Sequence, residues 1–324
     1  MADGEMADGE RNTGPVGLVG LVGLGNMGSA LARRLAAQYP LIAYDVRPTD
    51  AMRELAASGA FTLAGSLTEV AAARRIVLSL PAPDISRAVV AELLEVLTPG
   101  SVIVETSTVT PMDITAMRGS CEPASVTLLD AAILSGVRQS AEGVATVLIG
   151  GDSGDVDSVR DILNTFASTI THLGPAGSGM AAKVINNAVA HATMVMLCEA
   201  GAMAAAWSIP RAKLGELFAS QEGGLIRPLT HRFMERVLGG EYDGGMPTEA
   251  ARKDSTLALQ LAEHTKIPLF TIQAAHTAYE LGMAAGLGRQ DYASIATLWE
   301  GWTGLPLRDS DSDDGAGVQA DSGR

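Results

Sequence analysis

The sequence predicts an α/β domain built on a doubly wound parallel sheet, followed by an all-α domain. Three observations carry this. From Val16 to about Leu173, short apolar runs alternate with helical patterns, as strands joined by crossover helices do. The apolar runs are continuous rather than alternating, which suits strands buried on both faces. After Gly174 the strand patterns stop, and Ala, Leu and Met dominate.

The elements follow in order. Val16–Val22, Leu41–Tyr44, Ile76–Leu80, Ser101–Val104, Val126–Leu129 and Thr146–Ile149 read as strands. Ala- and Leu-rich segments such as Ser29–Gln38, Ala51–Ala57 and Ile85–Leu97 read as the helices between them. Gly177–Gly179 then opens a long helix, roughly Met180 to Trp207, spanning about 40 Å at 1.5 Å per residue. Its stretch Ala188–Trp207 is the longest apolar run in the chain. His191, Glu199 and a high Ala and Gly content make this a buried helix rather than a membrane span. Pro210 ends it, and further helices are expected at 211–219, 226–237, 248–264, 269–286 and 291–301.

The expected plan is therefore a tail over residues 1–14, an α/β domain over 15–176, an all-α domain over 177–307 and a second tail over 308–324. The first tail repeats Met-Ala-Asp-Gly-Glu and the second is mostly Asp, Ser and Gly. Neither holds enough apolar surface to offset the entropy of ordering, so both are expected to be disordered.

Charge narrows the function. The 324 residues carry a net charge of −14, of which residues 1–11 hold −3 and residues 308–324 hold −3, leaving −8 for the folded part. Nucleic acid and anionic membrane need a basic face, so neither is expected as a partner. Aromatic residues make up 4% of the chain, too few for a base-stacking platform. A small anionic substrate in a local basic pocket remains compatible. Cys121 and Cys198 are far apart and the five histidines are scattered, so no disulfide framework and no metal site is expected. The acidic N-terminus is unlike a signal peptide, and the expected location is cytoplasmic.

Gly23-Leu24-Gly25-Asn26-Met27-Gly28 is a G-x-G-x-x-G. Alone it is a weak signal in a chain with 36 glycines. Here it follows an apolar strand, opens an Ala-rich helix, and is followed by Asp45 at the end of the second strand. That context is what a dinucleotide requires. Gly23 permits the tight turn, Gly25 admits the pyrophosphate to the backbone, and Gly28 lets helix and strand pack closely. The helix N-terminus then offers free N–H groups to the phosphates. A turn with only a packing role is the alternative. The first domain is accordingly read as Rossmann-type. Asp45 would bond the adenosine ribose hydroxyls and repel a 2′-phosphate, favouring NAD. Arg47 could stack on adenine or reach a phosphate, which keeps NADP open.

Lys183 and Asn187 stand four residues apart on the long helix, so they share one face. An ammonium and an amide on an otherwise Ala/Val/Met helix are expensive to bury without a task. A desolvated lysine makes a good general acid or base. A snorkelling surface lysine is the alternative; the place at the domain junction favours catalysis.

These residues resemble the β-hydroxyacid dehydrogenase family, the group of 3-hydroxyisobutyrate dehydrogenase and tartronate semialdehyde reductase, over about residues 16–307. Four stretches carry the resemblance: Gly20 to Gly28; Glu105-Thr-Ser107-Thr108-Val-Thr-Pro111; the Gly-rich entry Gly174–Gly179 leading to Lys183 and Asn187; and Lys253-Asp254. The resemblance implies that Lys183 is the general acid/base and that Asn187 orients the substrate. It implies that Leu80 and Pro81 line the cofactor, that Thr108 lies beside the nicotinamide ribose, and that Lys253 approaches the cofactor from the other domain. A helix N-cap ahead of Pro111 is the alternative for Thr108, and solvated surface is the alternative for Lys253-Asp254. The helical domain would be like that of 6-phosphogluconate dehydrogenase, and the assembly a homodimer or homotetramer.

One stretch departs from the family pattern. The family's substrate loop, D-x-P-V-S-G-G, reads here Asp130-Ala131-Ala132-Ile133-Leu134-Ser135-Gly136. Leu134 replaces the serine that binds a carboxylate. Either Ser135 takes over its hydroxyl or Leu134 lines an apolar pocket, with Gly136 completing the loop. The expected function is hydride transfer between NAD(P) and a small 3-hydroxy acid or its semialdehyde. The alternatives are an imine reductase on the same fold, which would usually lack a lysine at position 183, and a silent NAD(P)-binding scaffold.

Overall fold

The computed structural model describes residues 17–308. The tails expected over 1–14 and beyond Arg308 lie outside the described residues. The chain divides into two compact units, Met1–Ala188 and Val189–Arg324.

The first unit holds eight strands: β1 (Val19–Val22), β2 (Leu41–Tyr44), β3 (Thr62–Leu63), β4 (Arg75–Leu78), β5 (Val102–Glu105), β6 (Thr127–Ile133), β7 (Ala145–Gly150) and β8 (Ala167–His172). The helices between them are α1 (Asn26–Ala36), α2 (Asp50–Ala57), α3 (Leu67–Val70), α4 (Pro83–Leu94), α5 (Pro111–Cys121), α6 (Val137–Glu142), α7 (Ser153–Asp157) and α8 (Arg160–Leu163). The strands form one sheet in the order β3-β2-β1-β4-β5-β6-β7-β8, with the chain reversing its winding between β3 and β4. This is the doubly wound, Rossmann-type arrangement the sequence predicts.

Alternate strand residues feed two different cores. Val19, Leu21, Val77 and Val104 pack with Leu31 and Leu35 of α1 and with Phe166. Val22, Ile76, Leu78 and Ile103 pack with Leu93 of α4 and Ile114 of α5. Successive strand side chains point to opposite faces, so a strand covered on both sides needs apolar residues at every position.

The sheet differs from expectation in three places. It gains the edge strands β3 and β8. β3 has only two residues, and β8 has only Ala167 buried, so neither shows a continuous apolar run. The pair β6–β7 is antiparallel, with Asp130 opposite Gly150 and Ile133 opposite Val147. Residues 134–144 hold only the short helix α6, and a parallel return needs a crossover of a dozen or more residues.

α9 (Ser178–Ala206) begins in the first unit. The expected burial of Ala188–Trp207 is not found: Val189 is 62% exposed, Met194 59% and Val195 44%. A helix apolar all round needs partners all round, and one copy of the chain leaves these residues uncovered. By length and composition α9 is apolar enough to cross a membrane, with a mean hydropathy of 1.4. Glu199 explains one polar interruption. Its buried carboxylate accepts hydrogen bonds from the amides of Phe270 (2.6 Å), Thr271 (2.8 Å) and Ile272 (3.0 Å), at the start of α12 (Thr271–Ala284). Burial raises its pKa, but the three amides outweigh that and hold it below the ordinary range.

The second unit also contains α10 (Arg211–Ala219), α11 (Thr248–Thr265) and α13 (Ala296–Thr303). The helix expected over 226–237 is π-helical, Pro228–Val237, so its side chains do not follow the 3.6-residue period. The one expected over 291–301 is a 3-10 turn, Tyr292–Ile295, leading into α13. Asp291, fully buried, sits 3.1 Å from Nε of Arg232 and closes the turn by accepting the Ala293 amide at 2.9 Å.

Gly28 gives a direct test of the packing around β1. A Cβ there would overlap the carbonyl of Gly23, whose own amide donates to the Tyr44 carbonyl at 2.8 Å. Because the obstacle is backbone, Gly28→Ala is expected to destabilise the first unit by about 1–3 kcal/mol, read as a lower urea midpoint, and to weaken dinucleotide binding.

Candidate active site

The carboxyl edge of the sheet collects the chemistry. In doubly wound sheets ligands bind there, where the strand order reverses. β1 ends in the glycine loop. α1 begins at Asn26 after Gly25, and no side chain caps it. Its first amides therefore stay available to an anion.

Asp45, at the end of β2, closes this loop. One carboxylate oxygen accepts the Leu24 amide at 2.6 Å and the other accepts the Arg47 amide at 2.7 Å. The acid thus braces the glycine loop and places a negative charge at its rim. Gly23, Gly25, Asn26, Met27, Gly28, Asp45, Leu80 and Pro81 all line one cavity of about 520 Å³, together with Tyr44, Arg47, Ile85 and Val89. Leu24 is the exception among the fingerprint residues, since its side chain is buried in the core. A glycine cradle, uncapped helix amides, apolar walls and one acid fit a dinucleotide: amides for the pyrophosphate, Asp45 for the ribose, Ile85 and Val89 for a flat base. A larger hollow of about 650 Å³, lined by Tyr39–Leu41, Arg53 and Phe61–Leu63, opens where β2 begins, away from that edge.

The floor of the cavity is tied to β5. The Ser107 hydroxyl accepts the Leu80 amide at 2.7 Å, and Thr106 donates its hydroxyl to the Leu78 carbonyl at 2.6 Å. Beneath them lies Glu105, fully buried at the end of β5. Its Oε1 accepts the Ser107 amide at 2.7 Å, while Oε2 and the Ser86 hydroxyl lack a well-aligned partner. Burial pushes this carboxyl up to about 7, against weaker opposing hydrogen bonds from Ser107 and Ser86. The sequence reading gave Glu105 no role. Its signal was an acid placed directly after Val102–Val104, where burial on both faces is expected.

Thr108 is exposed in the loop after β5. It is not the cap of α5: Thr110 is, with Asp113 completing a capping box. Leu134, Ser135 and Gly136 follow β6, with Leu134 and Ser135 half-buried. The Ser135 oxygen accepts the Thr146 amide at 2.9 Å and so closes the β6–β7 turn.

Lys183 and Asn187 are both half-buried on α9. Desolvation lowers the Lys183 pKa below its ordinary value. Lys253 belongs to the second unit, where it is exposed and pairs with Asp254 at 3.0 Å. Both cysteines are free, and burial pushes the Cys121 thiol up to about 11. Among the described residues no group of three His, Cys, Asp or Glu side chains could hold a metal ion.

The chain is similar to known proteins in sequence and in fold. Residues 18–174 match the NAD binding domain of 6-phosphogluconate dehydrogenase. Residues 177–299 match the NAD-binding family of NADP-dependent 3-hydroxyisobutyrate dehydrogenase. The chain is 28% identical over 292 residues to the mitochondrial 3-hydroxyisobutyrate dehydrogenase of Bos taurus, covering 87% of this chain and 85% of that one. It is 26% identical over 287 residues to the 2-(hydroxymethyl)glutarate dehydrogenase of Eubacterium barkeri, covering 87% and 95%. In fold it is similar to an imine reductase variant from Myxococcus stipitatus solved with NAD+, with a TM-score of 0.79 at 19% identity over 87% of this chain and 99% of that one.

The raised Glu105 carboxyl has a pH signature. Its folded pKa lies above the unfolded one, so the native state holds a proton that the unfolded chain releases. Stability should therefore fall as pH rises from about 4.5 to about 7 and level off above. Glu105→Gln keeps the acceptor for Ser107 and removes the charge. Urea titrations should show the variant gaining over wild type between pH 4.5 and pH 8, by roughly 3 kcal/mol.

Proposed function

The chain belongs to the β-hydroxyacid dehydrogenase family, and we propose that it moves a hydride between NAD(P) and the carbinol carbon of a small 3-hydroxy acid or its semialdehyde. It is an NAD(P)-dependent oxidoreductase. One observation carries the proton chemistry: Lys183 and Asn187 share a half-buried face of α9, and desolvation already pulls the lysine towards neutrality.

The nicotinamide cofactor, when bound, accepts or returns the hydride. The protein does the rest. The α1 amides and the glycine loop hold the pyrophosphate, and Leu80 and Pro81 give the cavity an apolar wall that excludes water. In the oxidation direction neutral Lys183 takes the proton of the substrate hydroxyl; in reduction its ammonium returns a proton to the carbonyl oxygen. Asn187, one turn further on, orients that oxygen through its amide. Leu134, Ser135 and Gly136 form the substrate loop, with Thr108 as a further cofactor contact. Asp45 at the ribose end supports NAD over NADP, because a carboxylate repels a 2′-phosphate.

The exposed apolar residues of α9 support a homodimer as the smallest assembly, a tetramer being the next closed arrangement. The net charge of −14 supports a soluble cytoplasmic enzyme without a nucleic-acid or membrane partner.

Three outcomes are expected. Lys183→Ala should lose 10²–10⁴-fold in kcat while its NAD dissociation constant, followed by fluorescence, stays nearly unchanged; equal turnover would refute the role. The oxidation rate of the native enzyme should rise with pH through an apparent pKa below that of ordinary lysine, with NAD outperforming NADP when 3-hydroxy acids and semialdehydes are screened side by side. Light scattering should give at least twice the 33.4 kDa chain mass.

A further inference from the structure

We propose that Asp130 is the positioning residue for Lys183: its buried carboxylate clamps the first turn of α9 and so sets where the lysine stands. This rests on Lys183 being the proton-transfer group.

Asp130 lies in β6 opposite Glu105 of β5 in the ladder and is fully buried. One carboxylate oxygen accepts the Gly177 amide at 2.6 Å, and the other accepts the Met180 amide at 2.8 Å. No cation among the described residues pairs with it. Its charge faces backbone N–H groups and the positive end of a 29-residue helix. These contacts span 47 and 50 residues of sequence, so they are tertiary and not a local cap.

Glycines clear the space around this carboxylate. A Cβ on Gly179 would stand 2.5 Å from the Leu148 carbonyl oxygen and 3.0 Å from Asp130 Oδ2; one on Gly150 would stand 2.7 Å from Asp130 Oδ1. The Gly-rich entry to α9 thus has a physical reason. It lets the helix backbone settle directly on the carboxylate and on the β7 backbone.

Lys183 follows Met180 by three residues, less than one turn and about 4.5 Å of rise. With the Met180 amide fixed, the lysine backbone has little freedom to shift. Misplacing a catalytic group by about 1 Å can lower a rate about 10²-fold. The clamp also places a negative charge beside the positive end of the helix that carries the lysine.

The test compares Asp130→Asn with Lys183→Ala in the full-length enzyme. Asp130→Asn is expected to lose 10- to 100-fold in kcat while its NAD dissociation constant stays within about twofold, since the cavity-lining residues belong to β1, β2, β4, their loops and the helices α1 and α4, none of which the Asp130 carboxylate holds. Its lysine-dependent pH limb should move to lower pH, because removal of the carboxylate leaves the helix end uncompensated. A lower melting temperature with unchanged kcat and pH limb would show a merely structural role and overturn the proposal. Should Asp130→Asn fail to fold, Gly179→Ala pushes the helix off an intact carboxylate and must show the same split between kcat and NAD affinity; unchanged kcat there overturns it. Retained turnover in Lys183→Ala would instead remove the assignment on which the inference rests. Faster amide exchange at Gly177 and Met180 in Asp130→Asn would still report the clamp itself.

Discussion

A carboxylate taken out of water needs a partner, and at Asp130 the partner is the beginning of a helix. Two backbone amides accept the role that a cation or solvent would otherwise fill. Lys183 follows the held Met180 amide by three residues, so this contact fixes the backbone at the start of α9 just ahead of the lysine. The glycines at 150 and 179 follow from the same constraint, because any side chain there would occupy the room the carboxylate and the helix backbone share.

Three buried acids show three balances of the same forces. Glu199 receives three amides from the start of α12, enough to keep it ionised. Asp130 receives amides too, yet burial wins and its pKa moves upward. Glu105 has one amide and a poorly aligned serine, so it holds its proton to about neutrality. Each acid ends or interrupts an apolar segment, and each links elements distant in sequence or braces a loop that lines a site. In an acid-rich protein these carboxylates matter to structure because they are desolvated, whereas an acid on the surface is screened by water and salt.

Much of the first unit was legible in the sequence. A strand buried on both faces must be apolar at every position, so β1, β2, β4, β5, β6 and β7 announce themselves. The dinucleotide loop is equally local: its glycines, the helix after it and Asp45 lie within one βαβ unit. What escaped was set by less local physics. β3 and β8 are edge strands with little apolar content. The antiparallel turn between β6 and β7 is a matter of connection length, and Ser135 serves it rather than standing free. The π-helical stretch over Pro228–Val237 keeps a helical composition while changing its period. The cap of α5 falls on Thr110, two residues past Thr108, because Pro111 takes the first helical position.

The sequence by itself determined what depends on periodicity and near neighbours: the alternation of strand and helix, the glycine fingerprint with Asp45, and the shared face of Lys183 and Asn187. Only the tertiary structure decided what depends on distant partners. It seated α9 on Asp130, drew Leu80 to Ser107, left Glu105 without a counter-charge, and left the apolar length of α9 exposed. The reason is that burial and hydrogen bonding, unlike periodicity, are properties of what a residue meets after folding. For Asp130 the groups it meets lie 47 and 50 residues away.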